Sequence, residues 1–205
     1  VWKSTDGGTS WEIKSHWTYP SIWGYTHADI HHIGFHGNRL YVGSDGGIFR
    51  SVNGGTDWTD LSEGLEITQF YRLGGSADDA SLIMAGAQDN GCNLFDGTLW
   101  THVLGADGME TAITPGDPAV MYACQQYGSL YRSDDGGATF NIISFSIPEE
   151  GAWVTPYVID PSDNNVLVTG YKNIWRSTDR GDSWTQISAF NTTRTVRALA
   201  VAPSN

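Results

Sequence analysis

A chain of 205 residues with 40% apolar residues, 17% charged residues and 25 glycines can build one sizeable core or several small repeated ones, which excludes a disordered tail. Its 11 basic against 23 acidic side chains leave a formal charge of -12, so the cationic surface that nucleic acids and anionic membranes select is missing. No apolar run approaches the roughly 20 residues that span a bilayer, and the opening Val1-Trp2-Lys3-Ser4 lacks the regions of a signal peptide, so any export signal is expected upstream, in the remainder of a longer chain.

One phrase organises the chain. Ser4-Thr5-Asp6-Gly7-Gly8-Thr9-Ser10-Trp11 recurs at 51–58, 133–140 and 177–184 as Ser-x-Asp/Asn-x-Gly-x-x-aromatic. The starts at 4, 51, 133 and 177 are 47, 82 and 44 apart, and the long gap holds a worn copy, Phe95-Asp96-Gly97-Thr98-Leu99-Trp100. A strand-rich unit repeating every 40 to 47 residues or so is the signature of a propeller blade rather than of a helical solenoid.

In chain order, 1–14 reads as the outer strand pair of a partial blade, and 15–26 as an aromatic connection carrying Trp17, Tyr19, Trp23 and Tyr25. The first whole blade, 29–61, divides at Gly-rich turns into four strands, 29–35, 39–43, 48–51 and 57–61, named A to D from inner to outer. Further blades are expected at 67–104, 109–143 and 154–187, with a lone A-like strand at 195–202. The predicted fold is therefore all-β, a single propeller of four-stranded antiparallel blades, with about 4.75 blades present as a portion of a larger ring.

The phrase has a mechanical explanation that needs no ligand. Asp6, Asn53, Asp135 and Asp179 are placed to accept backbone N–H groups of their own turn, while glycine supplies a positive φ and the aromatic packs beneath the hairpin. The aromatic-Arg/Lys-Ser run before each copy, as in Tyr131-Arg132-Ser133, points to a blade-to-blade contact. Cys92 and Cys124 are too few for a disulfide scaffold and read as thiols; their similar places in neighbouring repeats leave a bridge between them as the alternative.

These phrases resemble Asp-boxes, the bacterial neuraminidase repeats of sialidases, xyloglucanase-like glycoside hydrolases, sortilin ectodomains and a photosystem assembly factor. The segments His27-Ala28-Asp29, Ser44-Asp45-Gly46-Gly47, Gln88-Asp89-Asn90-Gly91, Asp107-Gly108, Gln125-Gln126-Tyr127-Gly128 and Trp153-Val154-Thr155-Pro156 are most similar to secreted bacterial sortilin-like or glycosyl-hydrolase-like repeat proteins. The resemblance implies a β-propeller and an extracellular or cell-surface location. It leaves activity open, because that superfamily holds enzymes, receptors and assembly factors.

Subtracting the repeat leaves polar residues that gather at two kinds of connection, the D-to-A and B-to-C loops, which share one end of a propeller. His27, Asp29, His31, Gln69, Asp107, Glu110 and Trp153 enter the A strands; Asp45, Gln88, Asp89, Asn90, Gln125 and Tyr127 lie at the B-to-C turns. Their expected meeting place is the mouth of the central channel. No cofactor is required, although His27, Asp29 and His31 at i, i+2 and i+4 of an extended strand would suit a divalent metal, with a hydrogen-bonded cluster as the plainer reading.

A glycosidase needs two carboxyl groups, one proton donor and one ionised partner, and Asp29, Asp107 and Glu110 are the candidates. Of the eight arginines, Arg50, Arg132 and Arg176 belong to the repeat, and of Arg39, Arg72, Arg180, Arg194 and Arg197 only Arg72 is a candidate for the converging segments, so the arginine triad with which sialidases hold a carboxylate is not expected. The expected function is a glycoside hydrolase acting on a neutral or mildly acidic polysaccharide, with Trp17 and Trp23 among the surfaces for sugar stacking. The alternative is a non-catalytic extracellular propeller that binds a protein or glycan.

Overall fold

The computed structural model describes residues 1–202. The strands are short because each ends at a turn residue of the repeat, and every pairing is antiparallel between chain neighbours. A two-stranded sheet joins β1 (Trp2–Lys3) to β2 (Glu12–Ile13), followed by a one-turn helix α1 (Pro20–Trp23). The first four-stranded sheet holds β3 (Ile30–His36), β4 (Arg39–Ser44), β5 (Gly47–Ser51) and β6 (Thr59–Asp60). The second holds β7 (Phe70–Gly75), β8 (Leu82–Ala87), β9 (Gly91–Asp96) and β10 (Trp100–Leu104). The third holds β11 (Gly108–Ile113), β12 (Met121–Gln125), β13 (Leu130–Ser133) and β14 (Asn141–Ile142). The fourth holds β15 (Tyr157–Asp160), β16 (Asp163–Gly170), β17 (Ile174–Ser177) and β18 (Thr185–Gln186).

The fold is all-β, with four whole propeller blades and a half. The segment expected as a final strand at 195–202 forms none: Val196 N–H reaches the Tyr171 carbonyl at 2.7 Å and no ladder follows. The side chains of Val196 and Leu199 lie against Gly170 instead, so its apolar groups are spent on packing. The connection at 15–26, read as a loop, contains α1, which Pro20 starts and Gly24 ends at φ 77.

The chain divides into two compact units, residues 1–68 and the part from Gln69 onward. In the first, Leu40, Val42 and Phe49 are buried. In the second, Met84, Cys92, Leu94, Ile113, Met121 and Ala123 form one core layer, and Met109, Tyr122, Cys124, Leu130, Ile143, Tyr157 and Leu167 belong to the next. The sheets approach backbone to backbone at glycine: a Cβ on Gly86 would strike the Met109 main chain, and one on Gly108 that of Gly91. Both thiols are buried and unbridged, and burial pushes the Cys92 thiol up to about 12.

The repeated turn is held the same way in its four full copies. Ser4 Oγ accepts the Gly8 N–H at 2.8 Å, and Asp6 Oδ1 accepts the Ser10 N–H at 2.9 Å. Ser51 and Asn53, Ser133 and Asp135, and Ser177 and Asp179 repeat those bonds at 2.8 to 2.9 Å. Two left-handed residues complete the turn, with φ of 70 and 91 at Gly7 and Gly8. In the last copy the first of them is Arg180 at φ 60, kept there by bonds from its guanidinium to Asn165 and Asp117. The worn copy survives as a shorter turn in which Asp96 accepts from Thr98 and Leu99.

Two of the turns also clasp the blade before them. The Trp58 indole N–H donates to the Lys14 carbonyl at 3.0 Å, and that of Trp184 to the Ile143 carbonyl at 2.8 Å, one repeat back. Two of the cations before the repeated serines reach forward: Lys3 donates to the Gly54 carbonyl at 3.4 Å, and Arg132 to the Arg180 carbonyl and to Asp182, each at 2.8 Å. The blade-to-blade role expected of the aromatic-cation-Ser run is filled by bonds at Lys3 and Arg132, whereas the buried Nε of Arg50 has no hydrogen-bond partner among the described residues.

Two predictions follow from this turn chemistry. Gly181 sits at φ 96 with the Ile143 side chain where a Cβ would go, so Gly181→Ala should lower unfolding free energy by about 2 kcal/mol or more in urea melts. Hydrogen bonds, first from Thr139 and Ser10 hydroxyls, hold Asp135 and Asp6 down at about 2. A carboxyl lowered on folding adds stability above its unfolded value near 4, and that contribution is lost as pH falls through about 2. Asp135→Asn should flatten the acid limb of stability against pH while leaving the turn formed, as Asn53 does naturally.

Candidate functional site

The A strands begin with irregularities that re-aim side chains. The β3–β4 register shifts between Ile30 and His32, the β7–β8 register between Phe70 and Arg72, and the β11–β12 register between Gly108 and Thr111. A bulge leaves one residue outside the ladder. In the first unit that residue is His31, whose Nε2 pairs with Asp45 of the β4–β5 turn. In the second it is Tyr71, whose hydroxyl donates to Gln88 Oε1 of the β8–β9 turn at 2.5 Å.

In the first unit the entry to β3 meets the β4–β5 turn, as expected of connections that share an end. Asp45 N–H donates to the Asp29 carbonyl at 3.3 Å, and the His27 ring occupies the space where Gly46 lacks a Cβ. The expected extended run through 27, 29 and 31 does not form. Asp29 is left-handed at φ 52 and His31 stands in the bulge, so the alternation that would have aligned His27, Asp29 and His31 on one side is broken. Trp17 is 61% exposed, while Trp23 packs against His16 and Tyr19 at ring distances of 5.9 and 6.0 Å.

In the second unit the corresponding loops form a connected polar rim. Asp89 N–H donates to Asp107 Oδ1 at 2.8 Å, and Asp107 N–H donates to Gln126 Oε1 at 3.2 Å. Gln125 donates to the Gly105 carbonyl at 3.0 Å and accepts the Tyr131 hydroxyl at 3.1 Å. Asn90 donates to the Gln88 carbonyl at 3.1 Å. Next along, Tyr127 is 48% exposed and lies edge-on to Trp153, with ring centres 5.2 Å apart. Two backbone bonds fix that pair, Tyr127 N–H to the Trp153 carbonyl at 3.3 Å and Gly151 N–H to the Tyr127 carbonyl at 2.9 Å.

Non-glycine residues held left-handed mark this rim: Asp89 at φ 62, Ala106 at φ 64 and Tyr127 at φ 61. Such backbone persists only where surrounding bonds over-determine it. Glu110, on β11, is half-buried and faces Arg72 at 3.4 Å. Burial raises its carboxyl above the usual range, and the guanidinium pulls the other way without cancelling it. Gln69 is exposed just ahead of β7. Gln126, Tyr71 and Arg72 were not among the candidates; the bulge that aims Tyr71 has no sequence signal, whereas Gln126 neighbours Gln125 in a polar turn.

No family model matches the chain. In sequence it is similar to a xyloglucanase of Hypocrea jecorina (strain QM6a), 27% identical over 188 residues, covering 80% of this chain. The chain spans 20% of that protein's length. Solved structures similar to it include an ancestral GH74 enzyme, at TM-score 0.48 and 17% identity over 91% of this chain and 28% of that one. The GH74 xyloglucanase from Xanthomonas campestris gives TM-score 0.43 and 19% identity over 88% of this chain and 34% of that one.

The Glu110 pair yields a direct test. Arg72→Gln removes the cation while retaining a side chain over the site, so Glu110 should titrate higher than in the parent protein. Carboxyl-carbon NMR measures this, and an unmoved titration would show that Arg72 does not act on Glu110.

Proposed function

We propose that this chain is part of a secreted carbohydrate-active propeller, a glycoside hydrolase acting on a neutral or mildly acidic polysaccharide. The observation that carries the reading is the exposed Tyr127, set edge-on to Trp153 beside the carboxyl and amide groups of Asp107, Gln125 and Gln126. Rigid aromatic faces stack on sugar rings while amides and carboxylates bond their hydroxyls. The similarity to a xyloglucanase supports a glycan of that type. Engagement of Arg72 with Glu110 supports a neutral substrate over one carrying a carboxylate.

In this reading Glu110, its carboxyl raised by burial, protonates the leaving oxygen, and Asp107 is the partner carboxylate that acts as base or nucleophile. Xyloglucan and a panel of neutral glucans should release reducing ends with the parent protein. Glu110→Gln and Asp107→Asn should each lower kcat by about a hundredfold or more, and Tyr127→Ala should weaken binding. Asp29→Asn, in the first unit, is assayed in parallel as the third candidate carboxylate. The ion pair between Arg72 and Glu110 favours one second reading, a non-catalytic extracellular propeller, for which glycan binding without reducing ends is the expected result. Neither binding nor release on the panel would overturn the assignment to carbohydrate.

A further inference from the structure

Tyr127 and Gly128 are consecutive left-handed residues, at φ 61 and 91, a backbone that a tyrosine keeps only where its surroundings hold it. Three successive peptide groups of this turn are tied down. The first is bonded through the Tyr127 N–H to the Trp153 carbonyl. The second offers the Tyr127 carbonyl to the Gly151 N–H, and the Gly128 N–H to the Cys124 sulfur. The third, through the Gly128 carbonyl, accepts the hydroxyl of Tyr171.

Tyr171 belongs to the next sheet. It directly follows β16, is 2% exposed, and packs with Ile147 and Trp175 in a small core of its own. Its main chain is fixed on both sides: its N–H donates to the Asn173 carbonyl at 2.8 Å, and its carbonyl accepts the Val196 N–H at 2.7 Å. The ring lies on Gly128, where an added Cβ would fall 2.6 Å from Cε1. Burial pushes the phenol well above its ordinary range, so the hydroxyl keeps its proton and serves as a donor. The same β16–β17 turn holds the other half of the aromatic pair. Glu149, in the connection that carries Gly151 and Trp153, accepts the Asn173 N–H at 2.9 Å, the Asn173 side-chain amide at 2.7 Å and the Trp175 indole at 3.3 Å.

We infer that Tyr171 is a positioning residue for a ligand at the rim. Its hydroxyl, anchored in the core of the fourth sheet, holds the Gly128 carbonyl and so fixes the left-handed Tyr127, whose ring stands edge-on to Trp153. Tyr171 acts through Tyr127, because it is itself buried beneath the turn. The inference rests on the reading of Tyr127 and Trp153 as a sugar-binding surface.

Tyr171→Phe fills the same space and removes the donor, so far-UV circular dichroism should be unchanged. In the 205-residue chain without ligand, amide hydrogen exchange followed by NMR should show the Tyr127 and Gly151 N–H groups exchanging about fivefold faster, with the β12–β13 ladder amides unchanged. Affinity for a xyloglucan oligosaccharide, measured by calorimetry, should fall about fivefold or more. Where reducing ends are released, kcat should stay within about twofold of the parent, since Glu110 and Asp107 are untouched. p-Aminophenylalanine at position 171 restores an N–H donor and should restore both exchange and affinity. Tyr127 and Gly151 amides that exchange as in the parent, or a loosening shared equally by the ladder, would overturn the role. So would an affinity that the loosening leaves unchanged, or a failed rescue. Local loosening in the variant of a parent protein that binds no glycan would remove the carbohydrate reading and leave the hold of Tyr171 on Tyr127 standing.

Discussion

Backbone N–H groups at a tight turn need acceptors, and most of the architecture follows from how this chain supplies them. Two consecutive left-handed residues point amides inward, where no strand can receive them, so a serine hydroxyl and an Asp or Asn oxygen do. With its amides satisfied, the turn is rigid enough to present an indole on one side and a carbonyl on the other. Those two groups join one blade to the next. The motif therefore acts at two levels, within its own hairpin and, through Trp58 and Trp184, on the blade before, where the Lys14 and Ile143 carbonyls receive the indole.

The opposite ends of the blades are built on a different principle. There the loops are irregular and are tied to one another by backbone N–H groups and side chains of different connections, as in the chain of bonds from Asp89 through Asp107 to Gln126. Bulges at the starts of the A strands supply His31 and Tyr71 to the neighbouring turns. The repeated turns and the irregular loops are thus bonded through separate sets of residues, and one fold can host different chemistries when such loops vary.

Glu110 shows how packing sets chemistry in a way that its sequence neighbours do not. Its strand is interior, Met109 beside it is fully buried, and the carboxyl is drawn out of water with one guanidinium for company. Burial and the cation act in opposite directions on its proton affinity, and burial is the larger. The same packing that makes Glu110 a candidate proton donor also gives it an ion-pair partner.

Much of the fold was legible in the chain because its signals are local. Glycine positions and the acceptor side chains each act within a few residues, so the four-stranded units and the turn bonding could be read directly. The strand expected at 195–202 did not form, since a ladder needs a partner edge and that segment's apolar groups were taken by Gly170. The alignment of His27, Asp29 and His31 failed for a related reason: alternation presumes an unbroken strand, and neither a left-handed aspartate nor a bulge is written in residue type. Which carboxyl is buried and which glutamine meets which aspartate are set by contacts between residues tens of positions apart. Sequence determined the repeating unit; tertiary packing alone decided how its irregular residues meet.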